Sequence, residues 1–313
     1  MERKLENTVF VLNMGEDTIS VLDLFSKALL YKIRLYEGFF YKGKQPVFGP
    51  HDADIDYNRK YLYITNSHHG SISIVDLIQN KLVDQVYVGS CPSHIAICKK
   101  NKMIYVSNTD SNSISAIHLE KNSLITQIPV GTMPHDVKLS HDQRKLYVTN
   151  VDSNTITMID TMNNDVEKTI SVHENPYHIT LNKDGNLIFV VSTSFLAMDQ
   201  GKITILDSKD MKVLDEIPVG KMPIEAIVGK DENLLYITDA ELDVVHVLNI
   251  KTHKIIDEIH VGRMPSSIKK DERNKFLFVG NIQDNTLSII EIKTLKVIKN
   301  ILVGVEPSGI LCT

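Results

Sequence analysis

PHDVKLSHDQRKLYVTNVDSNTITMIDTMNNDVEKTISV, residues 134–172, is the stretch from which the fold is read. PHDVKLS reads as one strand and KLYVTN as a second. VDSN is a turn, and TITMID is a third strand with alternating parity. TMNND is another turn, and VEKTISV is a fourth strand. Each strand is short, rich in β-branched or aromatic residues, and bounded by Asn, Asp or Ser. Four such antiparallel strands in about 42 residues make one blade of a β-propeller.

The unit repeats along the whole chain. Pro50, Pro92, Pro134, Pro176, Pro223, Pro265 and Pro307 are spaced 42, 42, 42, 47, 42 and 42 residues apart. A fixed period near 40 is the mark of a repeat architecture. The last unit supplies one strand, SGILCT, while the first, from NTVFVLN, lacks its own first strand. The C-terminal strand is therefore expected to complete the N-terminal blade, removing the open edges of the ring. The expectation is an all-β, seven-bladed propeller, one domain over residues 1–313. Its blades run over 307–313 with 8–35, then 50–88, 92–130, 134–172, 176–219, 223–261 and 265–303.

The second strands read YITN (63–66), YVSN (105–108), YVTN (147–150), YITD (236–239) and FVGN (278–281), and V-G-x-x-P precedes most first strands. In these motifs the chain resembles the YVTN-repeat family of seven-bladed β-propellers along essentially its whole length. The resemblance implies the fold and is nearly silent on function.

Composition narrows the function classes. Net charge is -5 with both signs mixed and no basic block, which argues against nucleic acid or an anionic membrane surface. No stretch approaches the roughly 18 apolar residues of a membrane span. MERKLENTVFVLN has no signal-peptide pattern, and Cys91, Cys98 and Cys312 form no disulfide framework, so a reduced cytoplasmic setting is expected. No G-x-S-x-G, P-loop, G-x-G-x-x-G or H-E-x-x-H occurs.

Chemistry is expected where the repeat varies. The two residues after each proline are His51-Asp52, Ser93-His94, His135-Asp136, Tyr177-His178, Ile224-Glu225, Ser266-Ser267 and Ser308-Gly309. Blade topology places them at one end of the central channel, the end that also carries the loops between second and third strands. Converging imidazoles and carboxylates are what a divalent transition metal requires. His51, His94, His135 and His178 are the expected ligands of a zinc, copper, iron or manganese ion. Glu225, Asp52 and Asp136 are expected as further ligands or acid–base partners. His68 and His69 replace the Asp-Ser of the ordinary turn, and join them as acid–base candidates. A structural explanation stands beside each, since imidazoles at a channel mouth also cap backbone groups.

Two insertions fall on the same face, YEGFFYKGKQPVFG (36–49) and TSFLAMDQGK (193–202). Phe39, Phe40, Tyr41 and Phe195 are expected to wall a small-molecule site. The expected function is metal-dependent chemistry on a small molecule, hydrolysis or lyase chemistry and oxidation being inseparable from sequence. The alternative is a non-catalytic scaffold that docks a protein or peptide and keeps its histidines for structure.

Overall fold

The computed structural model describes residues 7–35, 47–194 and 200–313. They form seven four-stranded antiparallel sheets. Pro307–Cys312 joins Thr8–Asn13, Thr18–Asp23 and Ala28–Arg34 as blade 1. Blades 2 to 7 follow in chain order, their inner strands being Pro50–Asp56, Pro92–Cys98, Pro134–Leu139, Pro176–Leu181, Pro223–Val228 and Pro265–Lys270. Among the described residues the one helical element is a 3₁₀ turn, Thr109–Ser111. No helix among them is long and apolar enough to cross a membrane.

Closure comes from both chain ends. Cys312 pairs with Val9 and Ile310 with Val11 in antiparallel register. Gly309 lies against the inner strand of blade 2, where a Cβ would collide with the His51 carbonyl. A larger residue at that point would push the closing strand off its neighbour.

The YVTN-like strands hold adjacent blades together. The Tyr hydroxyl reaches a turn in the next blade: Tyr105 donates to the Thr161 carbonyl at 3.1 Å and Tyr147 to that of Ser208 at 3.1 Å. The Thr or Ser hydroxyl donates to the inner strand of the next blade, as from Thr65 to Ser93 at 2.6 Å. The terminal Asn donates to two hydroxyls of the third strand: Asn108 bonds Ser113 at 3.1 Å and Ser115 at 2.9 Å. Asn13, Asn66, Asn150 and Asn281 repeat this fork. The Asn sites are fully buried, where an unpaired amide N–H would cost free energy, so the fork satisfies the amide donors and ties the hairpin together.

Inner-strand apolar residues pack between blades: Ile95, Ile97, Val137 and Ile179 are buried there. Simple alternation would send the first residue after each proline the same way. Instead, the register between inner and second strand shifts just after Pro50, Pro92, Pro134, Pro176, Pro223 and Pro265. A bulge lets two consecutive residues face one side. His51 and His135, first after their prolines, thereby reach the same cavity as His94 and His178, which are second.

Candidate functional site

The channel mouth is a cavity of about 190 Å³ lined by residues from all seven inner strands and from the turns at Met14 and Ile282. It is smaller than the roughly 300–1,000 Å³ of drug-sized clefts. Its two sides differ. Blades 2 to 5 contribute His51, His94, His135, Tyr177 and His178. Blades 6, 7 and 1 contribute Ile224, Glu225, Ser266, Ser267, Ile282, Ser308 and Met14.

Three imidazoles stand together. Ring centres are 4.7 Å apart for His94–His135, 5.3 Å for His51–His94 and 5.8 Å for His51–His135. Each ring is pinned by Nδ1–H to a carbonyl of the next blade: His51 to Ser93 at 3.2 Å, His94 to His135 at 3.2 Å, and His135 to Tyr177 at 3.0 Å. A carbonyl can only accept, so the ring proton sits on Nδ1 and the Nε2 lone pair is left over. Desolvation in the narrow channel lowers the pKa of His51 and takes those of His94 and His135 well below the usual histidine value, so the neutral rings dominate at pH 7. For His94 and His135 the neighbouring imidazoles add to the effect. Tyr177 stacks on His135 at 3.8 Å, and burial pushes its phenol up to about 12.

His178 departs from the other three. Its ring centre is 6.5 Å from that of His94. Its Nδ1 accepts the Ala226 N–H at 3.4 Å, and its Nε2 lies 3.0 Å from Glu225 Oε1 and 3.6 Å from Asp136 Oδ2. Both nitrogens are engaged, so in this arrangement His178 has no lone pair to offer a metal. Glu225 also receives Lys269 Nζ and, at 2.7 Å, the Ile268 N–H. Burial alone would raise the Glu225 pKa, but Lys269 and His178 outweigh it and hold the carboxyl well below the usual range. Burial likewise tends to lower the Lys269 pKa, and Glu225 and Asp52 reverse that. Asp136 accepts the Ile179 N–H at 2.7 Å.

Asp52 has the opposite character. Its Oδ2 accepts the Ile95 N–H at 3.2 Å, yet desolvation raises its pKa to about 7, with Lys269 opposing the rise. Asp54, two residues deeper on the same strand, is also raised by desolvation. Among the described residues, no group of three or more His, Cys, Asp or Glu side chains converges tightly enough to hold a metal ion as it stands.

The turn histidines do not join this cluster. His69 lies between Phe48 and Tyr87, with ring centres at 5.0 and 5.6 Å, and its Nδ1 is 3.0 Å from Ser71 Oγ. That is a packing role beside the mouth. His68 is exposed and its ring covers Gly49, whose φ of +61° and lack of a Cβ it requires. The end of the first insertion is tied to blade 1: Asp17 accepts the N–H groups of Val47, Phe48 and Gly49 at 2.6, 3.0 and 2.8 Å. Phe48 enters the apolar core between blades 1 and 2 rather than the cavity. Phe39, Phe40, Tyr41 and Phe195 lie outside the described residues.

Two family models match the chain, "YNCE-like beta-propeller" over residues 102–286 and "Lactonase, 7-bladed beta-propeller" over residues 5–170. The chain belongs to these seven-bladed propeller families. No curated protein matches it in sequence. Among solved structures it is similar to hydrazine synthase of Kuenenia stuttgartiensis, at 18% identity and TM-score 0.77 over 87% of this chain and 92% of that one. It is similar to a functionally unknown protein of Desulfotomaculum acetoxidans, at 16% identity and TM-score 0.78 over 98% and 99% of the two chains. A proposed 6-phosphogluconolactonase of Bacteroides fragilis matches at 16% identity and TM-score 0.79 over 99% of both. At such identities the likeness is one of fold.

Within this YNCE-like propeller, sequence reasoning missed Lys269 and the stacking of Tyr177 on His135. Lys269 is the fourth residue after Pro265, so its parity with Glu225 was available as a signal. Blade 6 also breaks the Asn fork in a legible way. Asp239 replaces the Asn and His246 takes the place of its hydroxyl partner seven residues on, the pair meeting at 3.1 Å. Asp239 also accepts the N–H groups of Lys221 and Met222, so it is buried structural framing.

Proposed function

We propose that the channel mouth is a site for a divalent transition metal, zinc, copper, iron or manganese, held by His51, His94 and His135, and that it carries out chemistry on a small molecule. The carrying observation is the shared pinning of three neutral rings by Nδ1–H to backbone carbonyls. Metal-binding histidines have this outer hydrogen bond, which fixes the tautomer and frees Nε2. Three imidazoles on one tetrahedral ion, with metal–nitrogen distances of about 2.0–2.1 Å, have ring centres about 5 Å apart. The observed 4.7–5.8 Å brackets that value, which supports the reading. A bound metal of this kind polarises a carbonyl or activates water.

The surrounding residues have distinct parts. Asp52, whose pKa desolvation raises to about 7, is not among the residues that line the cavity, so a proton role for it would run through a neighbouring group. Glu225 is held ionised by Lys269 and orients His178, whose Nε2–H points at it. Asp136 stands on the other side of that ring. The YVTN-type strands belong to the same reading as framework, and the unpaired Cys91, Cys98 and Cys312 suit a reduced, cytoplasmic setting.

The test is metal content. Tag-free protein replenished with zinc, copper, iron or manganese and then dialysed is expected to retain one ion per chain by mass spectrometry. His94→Ala and His135→Ala should each lower retention more than tenfold, whereas His178→Ala should lower it far less. An empty wild-type protein after repletion would sink the metal reading. The same Nδ1 bonds would then count as stitching between blades, the feature that favours the scaffold alternative.

A further inference from the structure

The side chains that line the mouth commit their donors to the protein and leave acceptors toward the cavity. His51, His94 and His135 each direct Nδ1–H at a carbonyl of the next blade, and no Nε2 of the three has a hydrogen-bond partner. None of these Nε2 atoms is enclosed among the unpaired buried atoms, so each opens on the space that its ring lines. His135 is 8% exposed, so its lone pair is presented from an otherwise buried ring. His178 directs its Nε2–H at Glu225, and the Glu225 carboxylate, bonded to Lys269, can only accept. Ser308 Oγ donates to the Pro50 carbonyl at 2.9 Å and Ser266 Oγ to that of Pro307 at 3.4 Å, which leaves oxygen lone pairs. The Ser267 hydroxyl is enclosed over Gly280 and takes no part. The Tyr177 hydroxyl can act either way. No Lys or Arg is among the lining residues.

A wall of acceptors selects a ligand that brings donors. An anion would meet lone pairs and the Glu225 carboxylate, with Lys269 already taken by Glu225. A neutral hydroxyl group brings one donor. A primary ammonium brings three, with a positive charge. Glu225 and Asp136, at 3.0 and 3.6 Å from His178 Nε2, favour that charge and have one lysine, Lys269, bonded between them and neutrality. Hydrogen bonds from a cation are the stronger, charge-assisted kind. Three imidazoles with ring centres 4.7–5.8 Å apart offer three lone pairs to three N–H bonds. Across the cavity, Met14, Ile224 and Ile282 supply hydrocarbon for a short chain.

We infer that the mouth recognises a small primary alkylammonium, its N–H bonds directed at His51, His94 and His135 and its short chain laid on Met14, Ile224 and Ile282. The inference rests on the reading of the mouth as a small-molecule site and names the class of molecule. A metal on the imidazoles takes the same lone pairs, so the two occupants are alternatives. The test therefore uses metal-free protein, where failure of the metal reading changes nothing.

The experiment is a ligand-observed NMR titration of the metal-free, tag-free chain. Propylammonium is expected to bind. Tetramethylammonium, with the same charge and no N–H, and propionate, with a like chain and the opposite charge, should each bind at least tenfold more weakly. From methyl- to ethyl- to propylammonium, affinity should rise about fourfold per methylene buried. His135→Ala should weaken propylammonium about tenfold, as expected for loss of a hydrogen bond to a charged group. Ile224→Ala keeps all three imidazoles and should flatten the rise with chain length, which maintains the test should the first variant fail to fold. Tetramethylammonium binding as tightly as propylammonium would overturn the inference. So would absence of propylammonium binding, full affinity in folded His135→Ala, or an undiminished chain-length dependence in Ile224→Ala. A preference for propionate would sink the ammonium and keep the small-molecule site. Metal retention, measured separately, is untouched by any of these results.

Discussion

The second strands and the ends of the inner strands are neighbours in every blade, yet they are built on opposite rules. The second strand is nearly the same seven times over: an aromatic, an aliphatic, a third residue that is small in five of the seven, and an Asn or its stand-in. Its polar atoms are spent inside the ring, on the next blade or on the third strand. The inner-strand mouth varies around the ring, only blades 2 and 4 sharing the same pair, His-Asp, and there polar side chains face a cavity. Repetition at the first place keeps the ring closed. Variation at the second costs the apolar core little, because a bulge has already turned those side chains out of the interblade apolar packing, and what they keep are single hydrogen bonds to the next blade. Changes in the second strand should therefore cost stability, and changes at the mouth should alter the site.

The largest effect is expected from removing the closing strand. Deletion of 307–313 exposes the inner edge of Thr8–Asn13 and opens the ring. It should abolish cooperative thermal unfolding or lower the melting temperature far below that of the full chain. Truncated protein that melts like full-length protein would remove the basis for treating the ring as one unit.

Next in size is the Asn fork. Asn108→Ala strands the Ser113 and Ser115 hydroxyls in a fully buried place, and should cost about 1–3 kcal/mol in chemical denaturation. Metal retention and probe binding at the mouth should stay at wild-type level. An Asn108→Ala protein with native stability would break the comparison at its structural end.

Blade 6 sharpens the same point. Asp239→Asn and His246→Ser each spoil a matched buried pair, while together they rebuild the fork of the other blades. The double variant should be more stable than the sum of the singles predicts, with a coupling of about 0.5–3 kcal/mol. Strict additivity would mean that the two residues are independent of one another.

The smallest effect is a pH slope at the mouth. The Asp52 pKa is raised to about 7, above an unfolded value of about 3.9, so the folded state binds the proton more tightly. Its contribution to stability is present below about pH 4 and is lost as pH rises towards 7. The three pinned histidines act in the other direction. Their lowered pKa values make the unfolded chain the stronger proton binder, so their share of stability is lost as pH falls below about 6.5. Asp52→Asn should therefore gain melting temperature relative to wild type at pH 8 compared with pH 4. An equal difference at both values would show that Asp52 titrates as in the unfolded chain.

What was legible in the sequence follows from what is local in it. The period of 42, the four strands of each unit, the split first blade and the end of the channel where the repeat varies all rest on patterns within one repeat or on counting repeats. Parity along a strand is a two-residue property and survives any arrangement of blades. The site is different, because its decisive contacts join residues about one repeat or more apart. Ring closure and the bulge after each proline set which way each side chain points. They bring His51, His94 and His135 to one side with their Nδ1–H groups on neighbouring carbonyls. They commit both nitrogens of His178, and they draw Lys269 onto Glu225. The sequence by itself determined the ring and the face on which to look. Only the tertiary structure decided which lone pairs remain for a ligand, because that remainder depends on distances between blades, which no single repeat encodes.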